Sequence, residues 1–363
     1  MAVIVFCSSL ILSAVLTAFI RNWASSVGFV CRPVRERFHQ TTVPLGGGIA
    51  IFLTLSAFII SAIILVKYFV WPGRFDWLGE SVTIHALGFL SKINQLIVIL
   101  IAGAALFVLG LIDDSKNLGP VVKLVVQFSA AIVAAVFADV RVEFFIESRI
   151  LTTALSVIWI VLIINAFNFL DNMDGAAAGI AVMTTVVLLV AAVASGQVFV
   201  SGLAIIFIGT LLGFLVFNFP PAKIFMGDAG SMVIGFFVAF LTLRTTYYHE
   251  AHSGLWYPVF LPVVAMAVPL YDFISVMVLR LMQGKSPFLG DTQHFSHRLK
   301  RHGLTDTQAV LTLYLATLCT GLGATFLYQI NFFGAVLIFA QTFMVLAIIA
   351  IFESTVANDK TSN

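Results

Sequence analysis

The chain has 363 residues, of which 61% are hydrophobic and only 10% charged, against about 45–50% and about 25% in ordinary soluble domains. That composition excludes a typical soluble fold and puts the chain in lipid. A formal net charge of +2 without an arginine-rich tail excludes nucleic acid as a partner. Cys7, Cys31 and Cys319 form no CxxC pair, so neither a disulfide framework nor a zinc site is implied.

A helix that crosses the hydrocarbon core needs about 20 mostly apolar residues. Eleven stretches qualify, near 3–20, 46–70, 96–112, 121–138, 151–167, 176–195, 198–217, 231–243, 258–280, 308–328 and 331–352. The expected fold class is therefore all-α: a polytopic integral membrane protein, one transmembrane domain over 1–363 with no internal repeat. The first stretch has no basic residue before it and Arg21 directly after it. A cleaved signal peptide carries the opposite flank charge, so a retained helix is expected.

An odd number of crossings leaves the two chain ends on opposite sides. Loops 21–45, 113–120, 168–175, 218–230 and 281–307 then share one face. With their bordering residues and the C-terminal tail, they hold thirteen of the nineteen Lys and Arg. The positive-inside rule makes that face cytoplasmic, with the N-terminus outside and the C-terminus inside. The outer face, whose largest piece is expected to be a non-membrane segment at 71–95, has Asp76, Glu80 and Glu147 without tight grouping.

Every dense polar cluster falls in the basic set of loops. The first holds Asp113 and Asp114, with Lys123 and Gln127 four residues apart on one helical face. Adjacent carboxylates repel unless a cation holds them, and magnesium takes one or two carboxylates plus substrate phosphate; a solvated, capping loop is the alternative. The second runs from Asn165 through Asn168, Asp171 and Asn172 to Asp174 and Gly175. If the helix continues, its asparagines share a face. Such polarity is costly in lipid unless it lines a cavity or forms an interhelical seam.

In the third cluster, Gly227 and Gly230 flank Asp228 at a helix opening, where backbone amides can meet an anion or Asp228 can act as a cap. The fourth runs from Asp291 through Lys300 to Arg301, and on a helix its His294, His297, Arg298 and Arg301 share one cationic face. Arginine pairs bidentately with phosphate and histidine adds hydrogen bonds; a basic helix on anionic lipid is the alternative, and zinc lacks two further ligands. The fifth joins Arg32, Arg35, Arg37 and His39 to the run Gly46–Gly48, which either holds a lipid phosphate or enforces topology.

In this order and loop placement the motifs resemble the polyprenyl-phosphate N-acetylhexosamine-1-phosphate transferases. The resemblance covers about 31–308 and rests on Asp113-Asp114 with Lys123 and Gln127, Asn165-x-x-Asn168-x-x-Asp171-x-x-Asp174-Gly175, Met226-Gly227-Asp228-x-Gly-Ser231, Tyr271-Asp272, and Gly284 through Pro287, Asp291, His294 and His297-Arg298. It is closer to the GlcNAc branch than to the phospho-MurNAc-pentapeptide branch. Cys31, Glu36 and Ser296 depart from the family pattern.

The resemblance implies displacement of UMP from a UDP-N-acetylhexosamine by undecaprenyl phosphate, at the cytoplasmic face of the bacterial inner membrane. By it, Asp228 and Asn168 would coordinate Mg²⁺, with Mn²⁺ as the alternative ion. Asp113 and Asp114 would position the lipid phosphate or metal, and Asp171 and Asp174 the nucleotide. His294, His297 and Arg298 would meet the diphosphate or sugar, and Lys123, Asn165, Asp291 and His39 complete the expected substrate-binding set. The resemblance also favours a homodimer. A CDP-alcohol phosphotransferase would need an arginine after Asp174-Gly175, where this chain has three alanines. A transporter would place its charge near the bilayer midplane in paired broken helices.

Overall fold

The computed structural model describes residues 1–31, 42–72, 80–142, 146–245, 256–284, 298–300 and 302–359. Its helices in chain order are α1 (Ala2–Val27), α2 (Gly47–Leu65), α3 (Glu80–Lys116), α4 (Pro120–Phe137), α5 (Arg149–Leu170), α6 (Ala176–Ala194), α7 (Val198–Asn218) and α8 (Gly227–Arg244). After them come α9 (Leu261–Ala265), α10 (Ala267–Met282), α11 (Asp306–Ala324) and α12 (Phe332–Asp359). Among the described residues ten helices are long and apolar enough to cross a membrane, or eleven if one bent pair counts as a span. The eleven stretches expected from hydropathy are thus all present.

Two of them differ in shape. The third span does not begin near residue 96. Helix α3 runs 37 residues from Glu80, about 55 Å at 1.5 Å per residue, so most of the segment expected to lie outside the membrane extends the helix instead. The ninth span bends by 66° between Tyr257–Ala265 and Ala267–Met282. Pro269 lacks the amide that would bond back to Ala265, which leaves the break at Met266.

Without a hydrophobic drive between helices in lipid, close approach of small residues holds the bundle together. Ser13 Oγ of α1 donates to the Thr210 carbonyl of α7 at 2.6 Å. A Cβ on Gly213 would lie 2.8 Å from the Cβ of Ser13. Helices α6 and α8 are the innermost, while α1 and α12 are largely exposed along apolar faces, as lipid-facing helices must be. On α5, Trp159 donates to Thr242 of α8 at 2.9 Å.

The only strands among the described residues are β1 (Val30–Cys31) and β2 (Val43–Pro44), paired antiparallel. Leu45 bridges to Phe225 in parallel, and the Phe225 amide donates to the Pro44 carbonyl at 2.8 Å. This patch ties the start of α2 to the start of α8 at one end of the bundle. The ends of α3, α5 and α10 and the starts of α4, α6 and α11 meet at that same end, through contacts described below. The opposite end carries a separate knot, where Arg141 pairs with Asp139, and Arg244 Nη1 reaches the Asp139 carbonyl at 3.5 Å.

Candidate active site

Helix α3 stops where Asn117 takes a left-handed conformation at φ 49, one of the few residues that tolerate it. Pro120 then opens α4 at a position where a missing amide costs nothing. The turn between is short, so Asp113 in the last turn of α3 faces Lys123 in the first turn of α4. Asp113 is buried; its Oδ1 accepts from the Leu118 amide at 2.6 Å and its Oδ2 pairs with the Lys123 ammonium. The same ammonium lies 2.8 Å from Asp228 Oδ2. Lys123 thus bridges two carboxylates from different helices.

Asp114 is used differently. Its Oδ1 accepts from the Asp228 amide at 2.8 Å and its Oδ2 from the Ala229 amide at 3.3 Å. It is the anion that the opening of α8 was expected to meet, supplied by the chain itself. Gly227 sits at φ +75, and a Cβ there would lie 2.5 Å from Asp114 Oδ2. Glycine is required for both reasons.

The glycine run at the start of α2 serves the same assembly. The Gly47 and Gly48 amides donate to the Phe225 and Met226 carbonyls, each at 2.9 Å. A Cβ on Gly48 would lie 2.6 Å from Gly230 Cα, and one on Gly110 would lie 2.6 Å from the Asp228 carbonyl carbon. Three helices therefore cross backbone to backbone beside Asp113, Asp114 and Asp228. The amides of Gly47 and Gly48 are thus taken by α8's approach, while Arg32, Arg35, Arg37 and His39 of the same stretch lie outside the described residues.

Below this layer the asparagine motif forms a seam. Asn168 Nδ2 donates to Ser231 Oγ at 2.9 Å. One turn earlier in α5, Asn165 Nδ2 donates to Gln127 Oε1 at 2.7 Å, and Gln127 is buried. Asn165, expected to bind substrate, is tied to α4. The helix ends at Leu170, so Asn172 does not continue the asparagine face; its amide caps back onto the Phe169 carbonyl at 2.5 Å.

Asp171 follows as the cap of α5, partly exposed. Asp174 Oδ2 accepts from the Ala222 amide at 2.8 Å, which joins the asparagine motif to the loop before α8. Two residues outside the expected set reinforce this joint. Asn218 Oδ1 accepts from the Gly175 amide at 3.0 Å, and Tyr314 of α11 donates to the Gly175 carbonyl at 2.6 Å.

Arg298 is docked on α10 rather than extended into solvent. Its Nη2 donates to Ser275 Oγ at 2.7 Å and lies 3.9 Å from the buried Asp272. Arg280 is buried with its guanidinium 5.0 Å from the Phe169 ring centroid. Helix α10 thereby links the segment at 298 to the end of α5. His39, Asp291, His294 and His297 lie outside the described residues.

The fit to a magnesium ion follows from donor chemistry. Among the described residues no three His, Cys, Asp or Glu side chains converge to hold a metal. Asp113, Asp228 and the Asn168 amide, from α3, α8 and α5, are hard oxygen donors at one end of the bundle. An ammonium already occupies the place between two of the carboxylates as a stand-in cation. One or two carboxylates completed by substrate phosphate is the usual magnesium arrangement, so the residues present fit the ion.

The profile of "Glycosyl transferase family 4" matches residues 96–246, the stretch that contributes Asp113 through Ser231. The chain is 31% identical over 335 residues to the "Decaprenyl-phosphate N-acetylglucosaminephosphotransferase" of Mycobacterium tuberculosis, covering 84% of this chain and 78% of that one. It is 29% identical over 315 residues to the "Undecaprenyl-phosphate alpha-N-acetylglucosaminyl 1-phosphate transferase" of Escherichia coli K12, covering 82% and 76%. A Bacillus subtilis protein named "Probable undecaprenyl-phosphate N-acetylglucosaminyl 1-phosphate transferase" is 29% identical over 321 residues, covering 86% and 81%. The chain belongs to glycosyl transferase family 4, among the polyprenyl-phosphate N-acetylhexosamine-1-phosphate transferases.

Proposed function

We propose that the protein transfers N-acetylhexosamine-1-phosphate, with GlcNAc as the sugar, from a UDP-sugar to undecaprenyl phosphate. The products are UMP and a polyprenyl diphosphate-sugar that starts a cell-envelope glycan. The observation that carries this reading is the layer in which Lys123 bridges Asp113 and Asp228 while Asp114 closes α8. It lies at one end of a membrane bundle, where a lipid phosphate and a water-soluble nucleotide can meet. We assign that end to the cytoplasmic face of the bacterial inner membrane from the excess of Lys and Arg in its loops.

In the reaction a phosphate oxygen of the lipid attacks the β-phosphorus of the UDP-sugar, and the bond from that phosphorus to the bridging oxygen breaks with UMP as leaving group. The second pKa of a phosphate monoester is near 6, so the nucleophile is mostly dianionic at neutral pH. Deprotonation contributes little. The main obstacle is bringing a dianion up to a diphosphate, which cationic groups relieve. Lys123 is the cation at hand, and its place at the start of α4 is fixed by Asp113 and Asp228.

Asp113 already accepts from Leu118 and Lys123, which suits orientation better than proton abstraction. Mg²⁺ would be held by Asp228 and Asn168, with Asp113 Oδ2 as a further oxygen donor, and would supply neutralisation of charge on the diphosphate. Asp171 and Asp174, at the mouth between α5 and α6, are proposed to orient the nucleotide, Asp174 through its grip on Ala222.

The test is to incubate purified protein with undecaprenyl phosphate, Mg²⁺ and a panel of UDP-N-acetylhexosamines and to measure UMP release. Release with UDP-GlcNAc above the others is expected. Intact, folded protein that releases UMP from none of them would overturn the assignment.

A further inference from the structure

We propose that Lys123 is a built-in competitor of the divalent cation: its ammonium holds Asp113 and Asp228 together without metal and is displaced towards the anionic substrates when metal binds. The inference deepens the reading above, and only the nature of those substrates rests on it.

The argument begins with the carboxylate oxygens. Both oxygens of Asp114 are engaged by backbone amides of α8, and Asp113 Oδ1 by Leu118. Asp113 Oδ2 and Asp228 Oδ2 are the two that converge, and both converge on Lys123 Nζ. A cation shared by these two oxygens must occupy the point where the ammonium stands. Both cannot be there at once.

Among the described residues, those two carboxylates are the ammonium's polar partners. Lys123 lies in the first turn of α4, where the helix dipole disfavours positive charge. Its side chain and that of Asp228 are 25% and 29% exposed, while Asp113 is 5% exposed. Metal can therefore reach the pair from the open side, and a four-carbon stem lets the ammonium swing away. With Lys123 in place the three aspartates and the lysine carry a formal charge of two negatives; without it, three. Removing the ammonium should raise cation affinity both by vacating the point and by deepening the field. The freed ammonium would then pair with phosphate oxygens, so metal and nucleotide should favour each other's binding through reciprocal coupling.

The experiment uses the full chain in detergent, with Mn²⁺ binding followed by electron paramagnetic resonance and no acceptor lipid present. Lys123→Met and Lys123→Gln should each bind Mn²⁺ at least about tenfold more tightly than the wild type, and Asp228→Asn at least about tenfold more weakly. UDP should tighten Mn²⁺ binding in the wild type and do so less in both lysine variants. Equal or weaker binding by a folded lysine variant would overturn the proposal, as would unchanged binding by Asp228→Asn. Should neither lysine variant fold, the wild type alone decides. Amine labelling of Lys123, read by mass spectrometry, should rise severalfold on adding Mg²⁺, and no rise would overturn the competition. None of these readouts needs turnover, so their failure is distinct from failure of the transferase reading.

Discussion

Asp114 Oδ1 lies 2.8 Å from the backbone nitrogen of Asp228, so the second carboxylate of the adjacent pair completes a helix terminus 114 residues further along the chain. This relationship divides the pair by role. Asp113 turns towards Lys123, and Asp114 fixes the helix that carries Asp228.

Loss of a helix N-cap costs about 0.5–2 kcal/mol. Asp114→Ala is expected to lower stability by about that amount and to depress the rate with it, whereas Asp114→Asn keeps an acceptor and most of the stability. Unfolding in graded SDS checks this. Equal stability of the alanine variant and the wild type would contradict the capping role.

Asp113→Asn separates orientation from base catalysis. If Asp113 chiefly holds Lys123, the variant should lose rate by a similar factor across the range from about pH 6 to about pH 9, because the lipid phosphate ionises without help above its second pKa. A pH–rate profile in which the loss vanished at the alkaline end would instead assign Asp113 the proton.

The pairing of Gln127 with Asn165 is open to a swap. Asn165→Leu takes the donor away from the buried Gln127 amide oxygen, at a cost of about 1–3 kcal/mol, whereas Gln127→Leu leaves Asn165 Nδ2 its bond to the Val161 carbonyl at 2.8 Å and should cost less. Kcat should fall more than KM changes. Exchanging the two, Gln127→Asn with Asn165→Gln, keeps the combined side-chain length and should recover activity relative to Asn165→Leu. A large rise in KM for the UDP-sugar without rescue would mean that Asn165 contacts substrate.

Two glycines of α3 give a matched comparison. A Cβ on Gly110 would collide with the backbone of Asp228 and Ala229, while one on Gly88 meets nothing within 4 Å. Gly110→Ala should abolish activity and destabilise the fold, and Gly88→Ala should be neutral or stabilising by about 0.5–1 kcal/mol. Melting temperature and specific activity report both.

Much of this was legible in the chain because lipid imposes a simple rule on length and polarity. Hydropathy located every span, and loop parity brought Asp113, Lys123, Asn168 and Asp228 to one end. Less legible were features that depend on where helices touch. Nothing local marks Gly48 and Gly110 as neighbours of α8, or Tyr314 as the donor that closes Gly175 from outside the motif region. The early start of α3 at Glu80 was hidden because its first turns are mixed in polarity, and helix can continue past the hydrocarbon. The bend at Met266 was signalled by Pro262 and Pro269, but a hydropathy window averages over both.

The most direct test of the account follows a phosphorus atom. With UDP-GlcNAc labelled with ³²P at the β-phosphate, purified wild-type protein, undecaprenyl phosphate and Mg²⁺, the label should pass into the lipid fraction while unlabelled UMP accumulates in water. Asp228→Asn should leave the label in the donor. Sugar appearing in the lipid while the label stays in water as UDP would mean glycosyl rather than sugar-phosphate transfer, and would contradict the account.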